Sequence, residues 1–92
     1  MSIQHVEIHV KGKVQGVYFR ASTQLKARGL GLVGFVENQT DGSVLIQAEG
    51  ALKDLEDLLL WCHRGPEHAR VDEVKHQYSS PIGYTKFSIR RK

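Results

Sequence analysis

Hydrophobic residues along this 92-residue chain recur with a period of two in some stretches and close to 3.6 in others, and the order of those stretches leaves few folds open. Val6, Ile8 and Val10 alternate with His5, Glu7, His9 and Lys11, the pattern of a strand buried on one face, with the histidines and Glu7 on its solvent side. A glycine-bearing loop follows, Gly12 to Gly16. Residues 21–28 predict a helix, with Ala21 and Leu25 one turn apart and Gly29 as its stop. Residues 32–37 and 43–49 read as two further strands. The Asp41-Gly42 pair between them favours a tight turn, so the two predict a hairpin. Residues 51–64 form the clearest helix, with Leu52, Leu55, Leu58, Leu59 and Cys62 on one face and Gly65-Pro66 at its end. Residues 69–78 read as a fourth strand. Its parity slips between Ala69/Val71 and Val74/His76/Tyr78, which predicts a bulge. Phe87 and Ile89 mark a last, edge strand.

The order β-α-β-β-α-β, with an extra edge strand at the end, is the ferredoxin-like arrangement of the α+β class. In it two helices lie on one face of a mainly antiparallel sheet. The length suits a single domain over residues 1–92. That fold hosts many functions and chooses none of them.

Composition removes several classes. No apolar run approaches the ~20 residues that cross a bilayer. The opening Met1-Ser2-Ile3-Gln4-His5 lacks the basic and apolar regions of a secretory signal. The single cysteine, Cys62, cannot form an internal disulfide. These features point to a cytoplasmic protein. The net charge of +3 suits an anionic partner. Its distribution is mixed, however. Lys11, Lys13, Arg20, Lys26 and Arg28 make the first third basic, Glu37 to Asp57 is acidic, and Arg90, Arg91 and Lys92 make the tail basic again. A small anion fits that pattern better than a nucleic acid, and a monomer is expected.

Two stretches carry chemistry. Gly12-Lys13-Val14-Gln15-Gly16-Val17-Tyr18-Phe19-Arg20 joins a strand to a helix N-terminus. Backbone N–H groups in such a loop can point inward and hold an anion, the helix end adds unpaired donors, and Arg20 supplies a fork for two phosphate oxygens. Spacing alone favours a polar connector with a solvated Arg20. Gly34-Phe35-Val36-Glu37-Asn38-Gln39-Thr40-Asp41-Gly42 places Asn38 where a strand turns, and a turn-forming role would explain it.

Together the two stretches resemble the acylphosphatase family. Gly12 to Arg20 meets every fixed position of its signature G-x-V-Q-G-V-x-F-R. Gly34 to Gly42 meets a second signature, G-W-V-x-N-x-x-D-G, except that Phe35 stands where Trp is usual. Gly65-Pro66, Ala69, Val71 and Phe87-Ser88-Ile89 extend the likeness over almost the whole chain. The resemblance implies hydrolysis of the carboxyl–phosphate bond of a small acyl phosphate. It also implies a phosphate-binding loop of Gln15, Gly16, Val17, Tyr18, Phe19 and Arg20, with Arg20 holding the phosphate and Asn38 placing the attacking water. No metal or other cofactor is expected. Phe35 is aromatic like the residue it replaces, so only local packing should change.

Other readings compete. His5, Glu7 and His9 could bind a metal as a surface site on the first strand. His63, His68 and His76 show no ligand spacing. Cys62 falls on the apolar helix face and reads as inert, and Trp61 as a core or interface residue. The first loop lacks the Lys-Ser/Thr pair of a nucleotide-binding P-loop. An RNA-binding module on this fold would need aromatics on its central strands, whereas the outward sets here are His5, Glu7, His9 and Leu45, Gln47, Glu49. A non-catalytic phosphate sensor using the same loop remains a third reading.

Overall fold

The computed structural model describes residues 2–91. The elements are β1 (Gln4–Lys13), α1 (Phe19–Gly29), β2 (Val33–Asn38), β3 (Val44–Gly50), α2 (Leu52–Cys62), β4 (Arg70–Ser79) and β5 (Phe87–Arg90). They build one sheet in the order β4-β1-β3-β2-β5. Every neighbouring pair is antiparallel except β2 and β5. The expected order is therefore present, with β5 as the added edge strand.

One sheet face carries the core. Val6, Ile8 and Val10 of β1 lie opposite Ala48, Ile46 and Val44 of β3, and all six are fully buried. Helix α2 covers them with Leu55, Leu58 and Cys62. Burying one such aliphatic side chain is worth about 1.5–3 kcal/mol. Isolated helices of 11 residues are marginal in water, so packing rather than propensity holds both helices. Leu52 of the expected apolar face is 46% exposed because it sits in the first turn, beyond the edge of the contact.

Helix α1 departs from the pairing of Ala21 with Leu25. Both are exposed, and the buried stripe is Phe19, Thr23 and Ala27. Thr23 hides its hydroxyl by donating to the carbonyl of Phe19 at 2.8 Å, which lets a polar residue occupy a core position. The stop is also displaced. Gly29 is still helical, and the left-handed residue is Gly31, with φ 73°. The Leu32 N–H donates to Ala27 O at 2.9 Å and the Gly31 N–H to Arg28 O at 3.0 Å, the paired bonds that close a helix on a left-handed residue. The second stop is where the sequence puts it, at Gly65, whose N–H donates to Trp61 O at 2.8 Å.

The parity slip in β4 is a bulge. Lys11 pairs with Glu73 while Gly12 pairs with Val71, leaving Asp72 unmatched. A Cβ on Gly12 would lie 2.1 Å from the carbonyl oxygen of Arg70, so glycine lets the bulged strand close over β1.

The opposite sheet face is partly covered, which alternation along one strand cannot reveal. Glu7 and His9 are half-exposed and bonded to each other at 3.0 Å. His5 and Glu49, expected on the solvent side, are only 3% and 2% exposed. Residues 80–86 cross above them. The Glu49 carboxylate accepts the N–H groups of Ile82, Gly83 and Tyr84 at 2.5, 2.9 and 3.4 Å, and His5 Nδ1 at 2.6 Å. The other ring nitrogen of His5 meets Gln47 Oε1, and Gln47 Nε2 donates to Glu7. The His5, Glu7 and His9 trio is thus spent on internal bonds. Among the described residues no cluster of three ligating side chains could hold a metal.

Burial pushes the Glu49 carboxyl upward, but bonds from Ile82, His5, Gly83 and Tyr84 outweigh it and hold it below the ordinary carboxylate value. A lowered native value means that this stability is full above the unfolded value and is lost as pH falls through the native one. Glu49→Gln is expected to cost about 2–4 kcal/mol at neutral pH and to flatten the acid limb of the stability curve, read by denaturant melts from pH 7 down to pH 3. Equal stability of the two proteins at pH 7 would remove this role from Glu49.

Candidate active site

The connection between β1 and α1 is pinned from below and open above. Val14, Val17 and Phe19 are 1%, 7% and 1% exposed, and Phe19 packs its ring 5.4 Å from Trp61. Between these anchors the backbone reverses hand. Gly16 and Tyr18 have φ of 74° and 64°, while Val17 between them does not. Successive amides in such a path converge on one concave side, the geometry of an anion nest. A left-handed tyrosine costs of order 1 kcal/mol, and here it also starts α1. No side chain caps the helix, and no acidic residue lies in its first turn. The first intrahelical bond runs from the Ser22 N–H to Tyr18 O at 3.0 Å, so the amides of Phe19, Arg20 and Ala21 lie ahead of the ladder. Their partial positive charge is left uncompensated by the protein.

Arg20 stands half-buried in this first turn. Asn38 is the last residue of β2, where the chain enters the hairpin turn. That turn closes with the Gln39 N–H donating to Ser43 O at 2.8 Å, and Asp41 Oδ1 accepts the Ser43 N–H at 3.0 Å. Gln15 ties the two halves together. Its Nε2 donates to Gln39 O at 2.8 Å and to Ser43 O at 2.9 Å, fixing the loop against the strand end that carries Asn38. The side chain of Gln15 is therefore committed to the hairpin, and its backbone is what remains for the loop.

Arg20 and Asn38 line one cleft of about 400 Å³, with Val14, Gly16, Tyr18, Phe19 and Ile89 around them. They also line an adjoining cleft with Gln39 and Thr40. Asn38 Oδ1 is buried and accepts no bond from any described residue. An unclaimed buried acceptor normally costs about 1–3 kcal/mol. Sequence reasoning missed four lining residues: Val14 and Ala21 flanking the loop and, from the end of the chain's last strand, Ile89 and Arg91. The signal for the last two was available in the edge strand. Phe87 points into the core, so residues two and four further on share its face.

Other candidates fall away from this cleft. Cys62 is fully buried on α2, and burial pushes its thiol up to about 12, which leaves it protonated and unreactive. Phe35 packs on the far sheet face, edge-on to Tyr84 at 5.9 Å, with the Arg90 guanidinium 3.7 Å above its ring. Among the described residues no helix is long and apolar enough to cross a membrane.

Comparison with known proteins identifies the family. A sequence model of the acylphosphatase family matches residues 6–89. The acylphosphatase of Marinobacter nauticus is 57% identical over 77 residues, which is 84% of each chain. The structure of an acylphosphatase from Coxiella burnetii superposes with a TM-score of 0.93 at 35% identity, covering 96% of this chain and 93% of that one. An acylphosphatase from Bacillus subtilis gives 0.92 at 35% identity, covering 98% of this chain and 100% of that one. With its fold, its signature loop and relatives of this identity, the chain belongs to the acylphosphatase family and is a hydrolase of acyl phosphates.

Proposed function

We propose that Arg20 binds the phosphoryl group of the acyl phosphate and that Asn38 orients the water that attacks it. One observation supports this reading: Arg20 and Asn38, whose carboxamide oxygen has no protein donor, line one cleft at the amide-rich start of α1. The phosphoryl oxygens would sit in the loop 15–20, against the amides and the Arg20 fork. Asn38 Oδ1 would accept one hydrogen of the water and aim its oxygen at phosphorus.

The chemistry asks for little more. The leaving carboxylate has a conjugate acid of pKa about 4, so it departs without a general acid. The water oxygen forms the new P–O bond as the bond to the acyl oxygen breaks, with its electron pair leaving on the carboxylate. Asn38 cannot take a proton at neutral pH, so the water's proton passes to a phosphoryl oxygen. Positioning and charge stabilisation, rather than covalent catalysis, then supply the rate. This route employs neither metal nor phosphoenzyme. The one thiol is buried and unpaired, which suits a reducing compartment, and we read the chain as a single-domain cytoplasmic monomer.

Hydrolysis of benzoyl phosphate, followed with and without EDTA, tests the reading. Turnover unchanged by chelation is expected. No turnover, or turnover abolished by the chelator, would overturn it.

A further inference from the structure

The wall of the cleft contributed by β5 brings in a second cation. Along a strand, side chains alternate between faces. Phe87 is buried in the core, Ile89 follows on the same face, and Arg91, one residue past the strand, continues that parity and lines both clefts beside Arg20 and Asn38. Arg90 has the opposite parity. Its guanidinium rests on the Phe35 ring on the far face, and it reaches only the adjoining cleft.

Charge in the two clefts is of one sign. They are lined by Arg20, Arg90 and Arg91 and by no Asp or Glu. Among the described residues, no carboxylate lies within ion-pair distance of Arg20 or Arg91. The amide-rich helix start and Arg20 already answer the charge of one phosphoryl group. A cleft of about 400 Å³ is far larger than that group and falls in the usual range for whole small-molecule ligands. Arg91 is therefore a cation beyond those that one phosphoryl group requires.

We infer that Arg91 is a specificity-determining residue that selects acyl phosphates whose acyl half carries a second anionic group over those whose acyl half is neutral. The inference rests on the acyl phosphate reading of the cleft. Arg91 is exposed, so its attraction acts through partly screened solvent and falls with added salt. A guanidinium gains more from a planar or tetrahedral oxyanion, which it can meet with two N–H groups, than an ammonium would.

The test compares benzoyl phosphate with 4-carboxybenzoyl phosphate, which differ by one remote carboxylate and cannot cyclise. The quantity read is the ratio of kcat/KM for the charged substrate to that for the neutral one, which cancels general losses of activity. Arg91→Gln is expected to lower this ratio about five- to tenfold, Arg91→Glu to lower it further, and Arg91→Lys to restore part of it. Raising the salt concentration should shrink the wild-type ratio toward that of Arg91→Gln. A ratio unchanged in Arg91→Gln would overturn the inference, whether both substrates slowed together or neither did. Wild-type turnover of benzoyl phosphate is read separately. Its absence would remove the underlying acyl phosphate reading, whereas its presence with an unmoved ratio would remove only the role of Arg91.

Discussion

Arg20→Gln is expected to lower kcat/KM for benzoyl phosphate by about a thousandfold, with KM raised and kcat reduced together. Glutamine keeps a polar end on a shorter side chain but loses the charge and the planar fork. Charge on the phosphoryl oxygens is present in the bound substrate and redistributed in the transition state, so both parameters should move. The same variant should be no less stable than the wild type. Arg20 is a cation in the first turn of α1, at the positive end of the helix dipole, and makes no ion pair among the described residues. Removing it should leave the Tm unchanged or raise it slightly. Loss of activity with a large fall in Tm would show a structural arginine rather than a phosphate-binding one.

Asn38→Ala is expected to reduce kcat about a hundred- to a thousandfold while KM stays within about threefold. The contrast with Arg20 follows from what each side chain touches. The water that Asn38 holds does not grip the phosphate, so binding survives while the attack loses its direction. Alignment is worth much in such a step, because misplacing a reacting atom by about 1 Å can cost about a hundredfold. Stability again separates this role from a packing role. Asn38 Oδ1 is buried without a protein donor, so truncation to alanine removes an unsatisfied acceptor and should not lower the Tm. Steady-state kinetics and thermal melts on the two variants together decide the assignment. An Asn38→Ala enzyme with wild-type kcat would end it.

Particular elements show where reading the chain one residue at a time works. The strand pattern of β1, the Asp41-Gly42 turn, the bulge in β4 and the stop at Gly65 are all present near their expected positions. Each is signalled by residues close together in the chain. Helix α1 is the counterexample. Its hydrophobic residue Leu25 faces solvent at 73% exposure, while Thr23 is buried because its hydroxyl finds a partner in its own helix. His5 and Glu49 fail in the same way. Nothing near either one shows that residues 80–86 will cross over them and satisfy the Glu49 carboxylate with three backbone amides.

The amino-acid order alone determined the β-α-β-β-α-β path, the two signature stretches and the residue types able to hold a phosphate and a water, because periodicity and local backbone freedom are properties of neighbouring residues. Only the tertiary structure decided that Arg20 and Asn38 share a cleft, that Gln15 locks the loop to the hairpin, and that Arg91 joins them from the edge strand. These pairings span 18 to 71 residues of chain. They are set by the parallel placement of β5 beside β2 and by where the sheet brings strand ends together, which no local pattern encodes.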